Sequence, residues 1–215
     1  MKQRGLFSRA LMKVTRGFGV KFTLGMSDLV GTQPSAKKLK TGSGAKPRLA
    51  VIGMGGTIDK DYPRAHSGYA FEICEPAAER VLAQFPFLGV EWRVESVCAK
   101  DSTEITDADR ELLVAAVRRS EEARVVVTHG TDTLIETAQY LHRSGAAANK
   151  AVALVGSMKP ERFNDSDAHF NLGAAVSATS LLPRGSVAVV MGGNVIDCNQ
   201  AERDLDTGRF VEVGA

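Results

Sequence analysis

Leu49-Ala50-Val51-Ile52-Gly53-Met54-Gly55-Gly56-Thr57 and Val125-Val126-Val127-Thr128-His129-Gly130-Thr131-Asp132-Thr133 decide how this chain folds. Each begins as a short apolar run rich in β-branched residues and breaks into glycine and threonine. Unbroken apolar runs of this length read as strands buried on both faces, as in a parallel sheet, and not as the alternating pattern of a half-exposed strand. The polar residues that follow then lie at strand carboxyl ends, where open α/β sheets hold their ligands.

Outward from these two segments, strand and helix patterns alternate. Strands are predicted at 48–53, near 91–98, at 124–128, 151–156 and 186–191, with helices near 75–85 and at 107–119, 133–144 and 167–181. That alternation predicts an α/β fold, a three-layer αβα arrangement around a mostly parallel sheet. Thr106 and Asp109 have the spacing of a capping box at the start of the 107–119 helix. Pro183 and Gly185 close the 167–181 helix before Val187-Ala188-Val189-Val190. A hydrophobic content of 44% in 215 residues supports one sizeable core, so a single folded domain over 48–215 is expected.

The net charge of +2 hides two different materials. Residues 1–46 hold ten Lys/Arg and one acid, Asp28, a net +9; the remaining 17 Lys/Arg and 24 Asp/Glu give the rest −7. Residues 1–47 read as a disordered basic extension and linker, with Gly, Ser, Pro and Lys concentrated over 31–47. Leu6, Phe7, Ala10, Leu11, Val14 and Phe18 fall at helical spacing opposite Arg9, Lys13 and Arg16. Two readings stay open: a transit peptide, which implies a mitochondrial or other organellar location, or a self-solvating basic tail on a cytoplasmic protein. The folded body is acidic, which argues against nucleic acid as a partner, and no apolar run approaches the ~20 residues of a membrane span. Cys74, Cys98 and Cys198 are odd in number and widely spaced, which fits neither a disulfide framework nor a zinc site, so no metal is expected.

At the first strand end, Gly53-Met54-Gly55-Gly56-Thr57 departs from a dinucleotide fingerprint, which needs a third glycine where Ile58 stands, and no phosphate-binding lysine follows. It is either a tight turn or a close backbone approach to a ligand that presents the Thr57 hydroxyl. At the second, Gly130-Thr131-Asp132-Thr133 precedes a helix, whose amide end favours an anion or a developing oxyanion. Thr131 or Asp132 is expected to cap that helix. His129 receives no role, since a lone histidine at a strand end is more often packed than catalytic.

Taken together, Gly55-Gly56-Thr57-Ile58, Asp101-Ser102-Thr103-Glu104-Ile105-Thr106, Thr128 to Thr133, Val155-Gly156-Ser157-Met158-Lys159-Pro160 and Phe170-Asn171-Leu172 occur in an order that resembles the L-asparaginase/glutaminase family, in its amino-terminal domain. The resemblance spans roughly residues 48–203. It implies hydrolysis of the side-chain amide of L-asparagine, with L-glutamine as the longer alternative, without a cofactor. It implies Thr57 as nucleophile, Tyr69 on a lid over residues 59–70, and Thr131 as the second threonine that positions water or relays a proton. It further implies a ligand cradle of Gly56, Ser102, Thr103, Gly130 and Asp132, with Ser102 holding the α-carboxylate and Asp132 the α-ammonium. A homo-oligomer is also implied.

Two departures stand out. Where the family keeps a lysine that relays protons through the second threonine, this chain has Arg203, which can orient Thr131 or stabilise an anion but cannot act as a base. Family members also continue into a second domain that closes the site, and this sequence ends at Ala215, which predicts a wider pocket and weaker discrimination. The competing expectation is an amino-acid-binding or regulatory module that retains Ser102 and Asp132 without turnover; an amidase component of an amidotransferase is a third.

Overall fold

The computed structural model describes residues 45–62 and 71–213. The basic extension over 1–44, with its amphipathic pattern, and Tyr69 lie outside the described residues. The strands are β1 (Arg48–Gly55), β2 (Lys60–Asp61), β3 (Glu72–Ile73), β4 (Glu91–Lys100), β5 (Arg124–Thr128), β6 (Ala151–Val155), β7 (Val187–Met191), β8 (Asn194–Asp197), β9 (Ala201–Arg203) and β10 (Phe210–Glu212). The helices are α1 (Ala77–Ala83), α2 (Asp107–Arg119), α3 (Leu134–Arg143) and α4 (Ala168–Leu181), and single 3-10 turns occupy Thr57–Asp59 and Ser102–Glu104.

The main sheet runs β4-β1-β5-β6-β7-β8. Its pairings are parallel except for β7 with β8, which is antiparallel, so the mostly parallel α/β sheet expected from the sequence is what forms. The Val, Ala and Leu side chains of β5, β6 and β7 are buried without exception. Each large aliphatic group buried this way contributes about 1.5–3 kcal/mol relative to an exposed one, which is why these runs read as strands and not loops. Helices α2 and α3 pack on one face; α1 and α4 line a common groove on the other.

Strand order fixes where a ligand can sit. The chain leaves β1 for α1 on one face and β5 for α3 on the opposite face, while β1 and β5 are direct neighbours with Gly53 opposite Thr128. Their outgoing loops therefore diverge at the switch point of a doubly wound sheet, the crevice position where such sheets hold ligands. Both threonine segments are at that crevice.

Local chemistry explains the element boundaries. The Thr106–Asp109 capping box forms: the Thr106 amide donates to Asp109 Oδ2 at 2.8 Å and the Asp109 amide donates to Thr106 Oγ1 at 3.4 Å. Lys100 Nζ donates to both Asp109 oxygens at 2.8 Å, and this lysine, first among several donors, holds the carboxyl down to about 2. The short strands β2, β3, β9 and β10 and the antiparallel edge β8 carry no apolar run and are not foreseen from sequence. Among the described residues, no helix is long and apolar enough to cross a membrane.

Candidate active site

Glycine contacts assemble the crevice. Gly56, at φ 87°, lies so close to the β5–α3 loop that a Cβ there would stand 2.2 Å from the Gly130 nitrogen and 2.3 Å from its Cα. Only a residue without a side chain fits this approach and this backbone conformation. Gly130 is pressed in turn against Ser102, whose Cβ and Oγ would both lie 2.7 Å from an added Cβ. The loops after β1, β4 and β5 thus meet backbone to backbone, and the residues following the two glycines are Thr57 and Thr131. Both threonines are half-buried.

Hydrogen bonds then lock the loops together. The Asp132 amide donates to Ser102 Oγ at 3.2 Å, and Thr133 Oγ1 donates to the Ser102 carbonyl at 2.7 Å. Thr133 is the residue at the N-cap of α3, but its hydroxyl makes no capping bond. The expectation that Thr131 or Asp132 caps this helix is therefore corrected: Thr133 holds the position, and its side chain is spent on Ser102. The first turn of α3 is left with the uncompensated amides and partial positive charge of a helix start. Thr103 is exposed, and its amide and hydroxyl bond Asp101 Oδ1 at 3.3 and 3.1 Å. Asp101 is in turn paired with Lys60 at 3.0 Å, and that lysine is the main cause of its lowered pKa.

Arg203 is found on Asp132 and not on Thr131. Its Nη1 lies 2.7 Å from Asp132 Oδ1, and its guanidinium carbon stands 5.8 Å from the centroid of Phe210, its register partner across β9–β10. The reason is topological: the β9–β10 hairpin carries the cation to the outer, more exposed member of the Thr131-Asp132 pair.

His129 is fully buried between Thr137 and Gly130. The Gly130 carbonyl can only accept, so the ring proton is on Nδ1, which donates to it at 2.7 Å. Nε2 of the neutral ring then accepts the Thr137 hydroxyl at 3.0 Å, while Thr137 Oγ1 accepts Arg110 Nε at 3.2 Å. Burial, helped by the Arg110 charge, pushes His129 down to about 4, so it is neutral and serves to orient the Gly130 carbonyl. Sequence reasoning left His129 without a role and missed Arg110 and Thr137 behind it.

The loop after β6 is held by Asp167 and Asn171, to which the sequence assigns no function. Asp167 accepts the amides of Met158 and Lys159 at 3.0 and 3.1 Å. Asn171 Nδ2 donates to the Gly156 carbonyl at 3.1 Å and to Asp167 at 2.8 Å, while its Oδ1 accepts the Gly192 amide at 3.1 Å. Gly156 backs onto Thr131, whose Cγ2 would lie 3.3 Å from an added Cβ. Between this loop and the hairpin end is a cavity of about 440 Å³ lined by Met158, Asp167, Gly192, Arg209 and Phe210 among others.

Asp59, read from sequence as the start of a lid, is instead an anchor. It is buried, and its Oδ1 accepts the Ala77 amide at 2.7 Å at the start of α1. Burial is the dominant influence and raises its pKa to about 7. The ladder of β2 with β3, with the Arg162–Asp61 pair at 2.7 Å, fixes the two ends of the segment that contains Tyr69.

Residues 48–209 match the family model described as "Asparaginase, N-terminal". The chain belongs to the asparaginase family. It is 26% identical over 171 residues to a glutaminase-asparaginase of Acinetobacter glutaminasificans, an alignment covering 76% of this chain and 50% of that protein. It is 34% identical over 164 residues to a glutamyl-tRNA(Gln) amidotransferase component of Aeropyrum pernix, covering 71% of this chain and 36% of that protein. In fold it superposes on the thermostable L-asparaginase of Thermococcus kodakarensis with a TM-score of 0.65 at 24% identity, covering 78% of this chain and 52% of the other. The chain thus spans half or less of the length of these two sequence relatives. Within the asparaginase family frame, the residues expected from sequence converge at one crevice: Thr57, Gly56, Gly130, Thr131, Ser102 and Asp132, with Arg203 on the last.

Proposed function

We propose that the chain is an asparaginase-type amidohydrolase that cleaves a side-chain amide of the L-asparagine type through Thr57. The observation that carries this reading is the Gly56–Gly130 contact, which juxtaposes the loops of Thr57 and Thr131 across a switch-point crevice. Thr57 Oγ1 attacks the amide carbon; the C–N bond breaks, the hydroxyl proton leaves with nitrogen as ammonia, and an ester on Thr57 remains. Water, oriented by Thr131, adds to the ester; the bond to Thr57 breaks, the carboxylic acid departs and a proton from the water returns to Thr57. A threonine hydroxyl is a weak nucleophile, so the step needs amide donors for the oxyanion, and the glycine-rich turns and the uncapped start of α3 supply that type of group. Arg203 is no base and acts by charge alone.

The test is ammonia release by the full chain from L-asparagine and L-glutamine, with Thr57→Ala as the control. Release that is lost in Thr57→Ala, with the denaturation midpoint unchanged, supports the reading; equal release by the variant refutes it. The 34% identity to an amidotransferase component favours, as a second reading, the same amide cleavage serving an ammonia-consuming partner. Release that appears only in the presence of such a partner would distinguish it.

A further inference from the structure

Asp132 and Arg203 form a matched pair at the edge of the crevice, and the match decides which ligands the crevice attracts. The guanidinium lies 2.7 Å from the carboxylate, with side-chain exposures of 24% for Arg203 and 53% for Asp132. It is backed by the buried Phe210 ring, so the cation is not a loose surface group that can swing away. An arginine does not deprotonate in a protein. The single acid of the 128–133 loop therefore already has a cation on one carboxylate oxygen, and an incoming ammonium would meet that positive charge beside it. The other groups favour an anion. Ser102 Oγ accepts the Asp132 amide and so keeps its own hydrogen for an acceptor, and α3 begins two residues beyond Asp132 without a side-chain cap.

We propose that the crevice selects amides that carry a carboxylate but no free α-ammonium, such as succinamate or an N-acylated asparagine, over free L-asparagine. Turnover of such amides rests on the amide-hydrolysing reading above; their recognition rests on the Asp132–Arg203 pair together with Ser102 and the start of α3.

Two measurements on the full chain test it. In the first, kcat/KM for ammonia release is compared among succinamate, N-acetyl-L-asparagine and L-asparagine; in the second, calorimetry compares succinate with L-aspartate. The ammonium-free ligands are expected to win both by about tenfold, the scale of a screened unit charge at contact distance. Succinamate against N-acetyl-L-asparagine separates a deaminated from an acylated substrate. Arg203→Met, which releases the Asp132 carboxylate, should reverse the order toward L-aspartate, and Asp132→Asn, which frees the cation, should tighten succinate further. Denaturation midpoints confirm that each variant is folded. Asparagine equal to or better than succinamate, L-aspartate binding as tightly as succinate, no binding of either, or an order unchanged in both variants overturns the proposal. No ammonia from any amide, with succinate still preferred, refutes the hydrolase reading and leaves the ligand preference standing.

Discussion

Asp59 and His129 are both buried, in the loops that follow β1 and β5, and should pull stability in opposite directions with pH. Asp59 moves from 3.8 to about 7, so between those values the folded state holds the proton that the unfolded chain has lost. Its contribution is present below pH 3.8 and is lost as pH rises through 7, an overall change on the order of 4 kcal/mol at 1.36 kcal/mol per pKa unit. His129 moves from 6.5 to about 4, so between those values the unfolded chain holds the extra proton. Its contribution is present above pH 6.5 and is lost as pH falls through 4, on the order of 3 kcal/mol. Asp109 and Glu122, each held near 2, act at lower pH. From pH 5 to 6.5 the two slopes therefore offset at roughly 2 kcal/mol each, leaving the natural protein nearly flat. Urea unfolding at fixed temperature across pH 5–8 reads this directly. Asp59→Asn should gain about 2 kcal/mol from pH 5 to 6.5 and then level off, while His129→Asn should lose about 2 kcal/mol over the same interval and more up to pH 7.5. If the Asp59→Asn curve runs parallel to that of the natural protein, the carboxyl titrates as an exposed one and its burial as an uncharged anchor is wrong.

Gly56→Ala should abolish ammonia release and lower stability by about 2 kcal/mol or more in chemical denaturation, because a Cβ meets the Gly130 backbone and φ stays positive. A folded, fully active Gly56→Ala protein would disprove the close contact. Asn171→Ala should cost about 1–3 kcal/mol, read as a lower Tm, since the buried Gly156 carbonyl loses a partner and the half-buried Asp167 and the exposed Gly192 amide lose theirs at smaller cost. A change below about 0.5 kcal/mol, the range of an ordinary surface substitution, would show that the loop is held by other groups.

The central sheet was legible because burial on both faces demands continuous apolar runs, and Val125-Val126-Val127 and Val187-Ala188-Val189-Val190 have no other use. Helix α2 was legible to the residue, since its capping box is written in local spacing. What failed was long-range. The resemblance points to Arg203, but its arrival at Asp132 depends on a hairpin whose strands are three residues each and carry no pattern. Asp59 stood in a polar stretch and read as mobile; its burial follows from the placement of α1, 18 positions away. Asn171 belongs to the Phe170-Asn171-Leu172 motif, yet its bonds to Gly156 and Gly192 join the ends of two strands that only the fold brings together.

The ring proton of His129, held on Nδ1 against the Gly130 carbonyl at 2.7 Å in a fully enclosed position, gives the protein a built-in reporter. A sheltered imidazole N–H exchanges slowly with solvent and resonates apart from the backbone amides, so nitrogen-edited spectra can follow that single signal. A molecule settling beside Gly130 would shift it even in Thr57→Ala, where nothing is turned over. Occupancy of the crevice can thus be titrated separately from chemistry, one candidate compound at a time.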